Sequence, residues 1–231
     1  MVSLFEAQTA QDVIDAVARG DDVNEVQFWL PDDNGEGSTP LLTACTHGRT
    51  EVVQALLEHG ANPHDEDFTY STILYATVNG YRDIIVLLLN AGVNINIGNG
   101  VSGFGTPLII AAEYGHIDCL DLLLEQGADV DAQTEYGDTA LMLACGEGHI
   151  DAVDRLLQYG ANVNIIQKYH WVSGSTSWST ALENACIAND LAIIDRLVAH
   201  GADYRIFEDE DKLSNITSPE ARKRINDLLG K

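Results

Sequence analysis

Residues 106–131 read Thr-Pro-Leu-Ile-Ile-Ala-Ala-Glu-Tyr-Gly-His-Ile-Asp-Cys-Leu-Asp-Leu-Leu-Leu-Glu-Gln-Gly-Ala-Asp-Val-Asp. The pattern encodes two short helices and their punctuation. Thr106 is placed to cap the first helix through its hydroxyl, and Pro107 suits the first helical position, where no N–H is needed. Leu108, Ile109, Ala111 and Ala112 form one apolar face. Gly115 breaks the helix. Ile117, Leu120, Leu123 and Leu124 then mark the inner face of a second helix at helical spacing. Gly127 ends it, where a left-handed residue is needed. Neither helix is long enough to stand alone in water.

The same unit recurs, with starts at Thr39, Ser71, Thr106, Thr139 and Thr180. Its two stops are Gly48 and Gly60, then Gly80 and Gly92, Gly115 and Gly127, Gly148 and Gly160, and Asn189 and Gly201. The starts lie 32, 35, 33 and 41 residues apart. A period near 33 with this punctuation resembles the ankyrin repeat. The resemblance covers about four fifths of the chain in five aligned copies. It implies an all-α fold, a solenoid of helix–turn–helix units with β-hairpin finger loops. It also implies a single domain over 1–231: an N-terminal capping repeat at 10–37, five full repeats at 38–203 and a truncated capping repeat at 204–231. One departure is visible. The family's Thr-Pro-Leu-His places a histidine fourth, where it ties adjacent repeats; here Leu42, Leu74, Ile109, Met142 and Glu183 stand there. The apolar replacements imply a drier seam.

The ends are less regular. Val13, Ile14 and Val17 suggest a first helical face, Gly20 a stop, and Val23, Val26, Trp29 and Leu30 a second helix. Ser218-Pro219-Glu220 starts a last helix by capping logic, continuing through Ile225, Leu228 and Leu229. Before it, Glu208-Asp209-Glu210-Asp211 reads as a solvated acidic turn, and Arg222, Lys223 and Arg224 are expected to face water.

Charge narrows the partners. The chain carries a formal net charge of −24. Residues 1–167 hold 26 acidic groups against four arginines, whereas residues 168–231 hold ten acids and eight bases. That field argues against nucleic acid or an anionic membrane, since phosphates need Lys and Arg. It favours a basic protein partner. The longest aliphatic run, residues 84–89, is too short to span a bilayer. The N-terminus lacks the basic start and apolar run of a signal peptide. Cys45, Cys145 and Cys186 occupy one repeat slot, each after an alanine, and read as small buried apolar residues. Reduced thiols fit a cytoplasmic setting. Asn215-Ile216-Thr217 matches a glycosylation acceptor, which has no bearing without secretion.

No active site is legible: no nucleophile–base pair, no phosphate-binding glycine loop and no paired metal-ligand spacing. The expectation is therefore no enzyme, no catalytic or metal residues and no cofactor. His116 and His149 fall in the Gly-His slot, where the resemblance implies a bond to neighbouring loop backbone. His59 and His200 sit at helix C-termini, a favourable place for a partial positive charge.

Binding is the alternative to chemistry. The resemblance implies a concave surface made of finger tips and of positions between the alanine pair and the glycine of each first helix. Those positions are Thr46, His47, Thr77, Val78, Asn79, Glu113, Tyr114, Gly146, Glu147, Ile187 and Ala188. The second finger supplies Asp65, Glu66, Asp67, Phe68 and Tyr70; the third, Phe104; the fourth, Tyr136. The fifth finger is about eight residues longer than the period requires. It carries Tyr169, His170, Trp171 and Trp178, with a turn at Ser173-Gly174-Ser175, and reads as an extended β-hairpin. Aromatics on a Ser/Gly loop have the composition of a binding hot spot. The expected site is thus Asp65, Glu66, Asp67, Phe68, Tyr70, Phe104, Glu113, Tyr114, Tyr136, Glu147, Tyr169, His170, Trp171 and Trp178. The function expected is a monomeric interaction module for a basic protein. The competing reading is an acidic inhibitor or immunity-type protein that neutralises a basic toxin or nuclease.

Overall fold

The computed structural model describes residues 2–28, 37–64, 71–98, 105–170 and 176–230, with the backbone alone at 28, 168–170 and 176–178. The chain divides into two compact units, residues 1–102 and 103–231. Apart from short hairpins and bridges, the regular structure among the described residues is helical.

The first unit contains α1 (Ala10–Arg19), the hairpin β1 (Gln27–Phe28) and β2 (Gly37–Ser38), α2 (Pro40–Thr46), α3 (Thr50–Glu58), α4 (Thr72–Val78) and α5 (Arg82–Asn90). Helix α2 packs on α4, while α1 packs on α3 and α3 on α5. First helices thus stack on first helices and second on second. This corrects the N-terminal expectation. Helix α1 occupies the place of a second helix, and Gln27–Phe28 forms a strand rather than part of a helix. The reason is in the loop: Asn24 accepts from the Asn62 amide at 2.8 Å and donates to Gly60 O at 3.3 Å. Gly20 to Asn24 therefore matches Gly60 to Asn62, the exit of a second helix. A capping box between Thr9 and Asp12 starts α1. Its buried face is Val13 and Ala16, and Ile14 points outward.

The second unit contains α6 (Pro107–Glu113), α7 (Ile117–Glu125), α8 (Ala140–Glu147), α9 (Ile150–Gln158), the hairpin β3 (Gln167–His170) and β4 (Thr176–Ser179), α10 (Ala181–Ala188), α11 (Leu191–Ala199), a 3-10 turn (Tyr204–Glu208), α12 (Glu210–Asn215) and α13 (Pro219–Leu229). Helix α8 packs between α6 and α10, and the second helices run α7, α9, α11, α13 in contact order. The long fifth finger is an antiparallel hairpin in the register Gln167↔Ser179 to His170↔Thr176, as its sequence suggested. Its tip, including Trp171, lies outside the described residues.

The caps follow the sequence in part. Thr39, Thr139 and Thr180 accept from the amides of Leu42, Met142 and Glu183 at 3.1–3.2 Å. Ser71 and Thr106 start helices without such a bond, and the Thr106 hydroxyl is buried with no partner. The expected cap at Thr106 is therefore absent. Glycine is required at Gly115, whose φ is +67° and where an added Cβ would stand 2.8 Å from the His149 ring. The fourth-place slot is apolar and buried at Leu42, Leu74, Ile109 and Met142, the dry seam expected.

An ion-pair ladder crosses the second helices of the second unit. Asp121 of α7 pairs with Arg155 of α9, Asp154 of α9 with Arg196 of α11, and Asp195 of α11 with Arg224 of α13. Each is exposed or half-exposed, so each contributes only about 0–1 kcal/mol. Arg224 was expected to face water; it is bound because α13 packs as one more second helix. Arg222, exposed, donates back to the Ile216 and Ser214 carbonyls. The acidic run is not a plain turn either: Asp209 caps α12 by accepting from the Asp211 amide. All four cysteines are buried and none is in a disulfide. Burial raises the Cys145 thiol far above its usual range, and burial with the Glu183 charge pushes Cys186 up to about 12. Such thiols stay protonated and pack as apolar groups.

Candidate functional site

Two successive helix ends and one finger build the described part of the expected site. Helix α6 stops at Glu113, with Tyr114 as its C-cap and Gly115 in the left-handed region. This turn projects Tyr114 outward, 46% exposed, with its ring stacked on His116 at 6.0 Å. One repeat on, α8 ends at Glu147 and Gly148 in the same way, leaving Gly146 and Glu147 exposed. His149 locks the two turns: its Nε2 lies 2.9 Å from Glu113 O, the loop-to-backbone bond expected of the Gly-His slot. The repeat thus sets two helix ends side by side with a fixed offset.

The finger between them is tight. Thr134 N donates to Asp138 O at 2.9 Å, Gly137 takes φ +86°, and a bridge joins Gln133 to Thr139. Tyr136 stands at its tip, 46% exposed. Asp138, at its base, is half-buried and accepts from Gln167 Nε2, the first residue of β3.

Three carboxylates gather here. Burial, then the charges of Glu147 and Asp138, holds the Glu113 carboxyl above its ordinary value. Burial likewise raises Asp138, offset in part by its bond from Thr134. Tyr136 is pushed up by its bond to Glu135 and by that residue's charge. The arrangement is a negative patch with two exposed tyrosines. It can attract and orient a cationic side chain, and the rings can pack against its apolar stem.

The expected residues divide as follows. Glu113, Tyr114, Tyr136 and Glu147 stand on one face of the second unit. Asp65, Glu66, Asp67, Phe68, Tyr70, Phe104 and Trp171 lie outside the described residues, and of Tyr169, His170 and Trp178 only the strand backbone is described. Among the other positions expected on the surface, Thr77 is wholly buried, because its hydroxyl turns back to Ile73 O at 2.7 Å. Ile187 is 60% exposed, as its slot implied. Sequence reasoning marked Glu183 as a departure in its slot but did not find its partner Lys212, because the pairing depends on a contact spanning 29 residues. Among the described residues no group of His, Cys, Asp and Glu could hold a metal, and no helix is long and apolar enough to cross a membrane.

The family described as "Ankyrin repeats (3 copies)" matches residues 13–99 and 97–167. The chain is an ankyrin-repeat protein. It is similar to "Ankyrin repeat and KH domain-containing protein 1" of Homo sapiens, 35% identical over 103 residues, which is 44% of this chain and 4% of that protein. It is similar to "Ankyrin repeat protein nuc-2" of Neurospora crassa, 40% identical over 91 residues, 39% of this chain and 8% of that protein. It is also similar to "Ankyrin repeat and SOCS box protein 6" of Homo sapiens, 37% identical over 106 residues, 45% of this chain and 25% of that protein. The chain therefore spans a quarter or less of the length of these relatives. Ankyrin repeats are non-enzymatic modules for protein–protein interaction, and that is the function the family assigns to this chain.

Proposed function

We propose that this ankyrin module binds a basic protein, and that Glu113, Glu147, Tyr114 and Tyr136 are central contacts on its second unit. The observation that carries the reading is Glu113, whose carboxyl is held above its ordinary value by burial and then by the charges of Glu147 and Asp138. A Lys or Arg from a partner would relieve that repulsion. The rest of the expected contact set, Asp65, Glu66, Asp67, Phe68, Tyr70, Phe104, Tyr169, His170, Trp171 and Trp178, belongs to the same proposal, as does a monomeric, cytoplasmic protein with the cap and repeat boundaries given above.

The acidic-inhibitor reading rests on the unequal distribution of charge, 26 acids against four bases in residues 1–167. An inhibitor of a basic toxin or nuclease binds tightly and with steep salt dependence, whereas an adaptor binds more weakly and less steeply. One experiment addresses both. Partners are captured from lysate on the intact chain and identified, and the recovered protein is then titrated against wild type, Tyr114→Ala and the pair Glu113→Gln/Glu147→Gln. Tyr114→Ala is expected to cost about 1–3 kcal/mol with the fold retained. The charge pair is expected to weaken binding and flatten its salt dependence. A partner that binds both variants as it binds wild type would sink the reading.

A further inference from the structure

The end of the second unit carries a segment built unlike the rest. Residues 208–215, which include α12, contain no buried residue. They run between two that are almost wholly buried, Phe207 and Ile216, each 1% exposed. A helix of six residues has no stability of its own, and this one withdraws no apolar side chain fully from water. Phe207 and Ile216 therefore act as pins at its two ends. Midway between them Lys212 reaches across to α10, where its Nζ donates to Oε1 of the buried Glu183. A cavity of about 80 Å³ separates the two sides, walled by Phe207, Lys212, Asn215 and Ile216 on one and by Glu183 and Ile187 on the other.

We propose that residues 208–215 form a strap that opens locally while α13 stays docked, and that the Lys212–Glu183 pair is its latch. Opening gives up no buried apolar side chain of the strap, so the hydrophobic cost is small. It also returns Glu183 to water, whose Oε2 has no hydrogen-bond partner in the closed state. Helix α13 is held independently: Ala221 and Ile225 are buried, and Arg224 pairs with Asp195 of α11. Arg222 fixes the second pin by donating to Ile216 O at 2.6 and 3.1 Å. Its bond to Ser214 O at 3.2 Å is the one that opening breaks. Opening removes Lys212 and Asn215 from one wall of the cavity, which then joins the surface beside the exposed Ile187. The device does not depend on what the module binds.

The test is amide hydrogen exchange on the intact chain, read as the ratio of protection in residues 211–215 to protection in α13. In the wild type the strap is expected to be at least about tenfold less protected than α13. The variant Glu183→Leu/Lys212→Ala removes the latch without stranding a charge. It is expected to lower strap protection by about another tenfold and leave α13 within about twofold of wild type. Lys212→Arg keeps the cation and is expected to leave the ratio near its wild-type value. Should the double variant fail to fold, Lys212→Ala takes its place, since the ratio cancels a loss of global stability. Equal protection of strap and α13 in the wild type, loss of α13 protection in step with the strap, or a ratio indifferent to removal of the latch would each overturn the proposal.

Discussion

The repeat of α8 and α9 and the repeat of α10 and α11 are built alike and differ in what lies beside them. Each first helix is capped by a threonine hydroxyl at 3.2 Å from the third amide, and each ends in a left-handed residue, Gly148 or Asn189. In the fourth slot, however, Met142 is buried against the next repeat, whereas Glu183 faces the terminal cap and is paired with Lys212. The charges are distributed in the opposite sense. Beside α8, the charges of Glu147 and Asp138 bear on Glu113, while the one carboxylate of α10 that is buried has its cation. An interior repeat keeps its seam dry and its surface charged. The last repeat tolerates charge in its seam because what covers it is a cap of different composition.

The largest expected effect tests whether that cap supports a repeat as a neighbour does. Leu156 of α9 and Leu197 of α11 are both fully buried. Leu→Ala at either is expected to cost about 2–5 kcal/mol in denaturant unfolding. Equal losses mean that α13 packs on α11 as well as α11 packs on α9; a clearly smaller loss at Leu197 means a yielding end.

A smaller effect is expected from the ion pair. Lys212→Met strands the Glu183 charge and should destabilise by about 1–3 kcal/mol, the pair being only partly exposed. Adding Glu183→Leu should recover most of that loss, because it recreates the slot of the interior repeats. A double variant no better than Lys212→Met alone would break the analogy between the slots.

The smallest effect separates the two charge arrangements by pH. Glu113 has its folded-state pKa raised, so its ionisation is a cost that exists above the ordinary carboxylate range and vanishes as pH falls and the native state keeps its proton. Glu113→Gln should therefore stabilise the protein at neutral pH by less than about 1 kcal/mol, Glu113 being only half-buried. The gain should disappear on acidification below the ordinary carboxylate pKa. Thermal melts at neutral and acid pH would show it, and a gain that grows towards acid would contradict the repulsive patch.

Much of the fold was readable from the chain. Thr139 and Thr180 announced helix starts, Gly115 and Gly148 announced stops, and the aromatic run after Ile166 announced a hairpin, because caps, left-handed turns and strand alternation are local. Thr106 shows the limit: it has the right residue for a cap, yet its hydroxyl finds no amide. The helix at residues 10–19 had the right period but was assigned to the wrong place in its repeat. Only the bonds between Asn24 and the loop at Gly60 and Asn62 reveal which. The exposure of Tyr114, Tyr136 and Glu147 was legible because a repeat slot or a finger tip dictates it, whereas Thr77 was misread because its hydroxyl folds back onto its own helix.

The sequence by itself determined the family, the 33-residue unit, the apolar seam and the acidic character, since periodicity, punctuation and composition are written in the residues. Tertiary structure alone decided that Asp138 is drawn half out of water, and that Glu183 meets Lys212 and leaves one oxygen bare. Those facts depend on which groups the stacking of helices brings within 3 Å across 29 positions, and no local rule carries that distance.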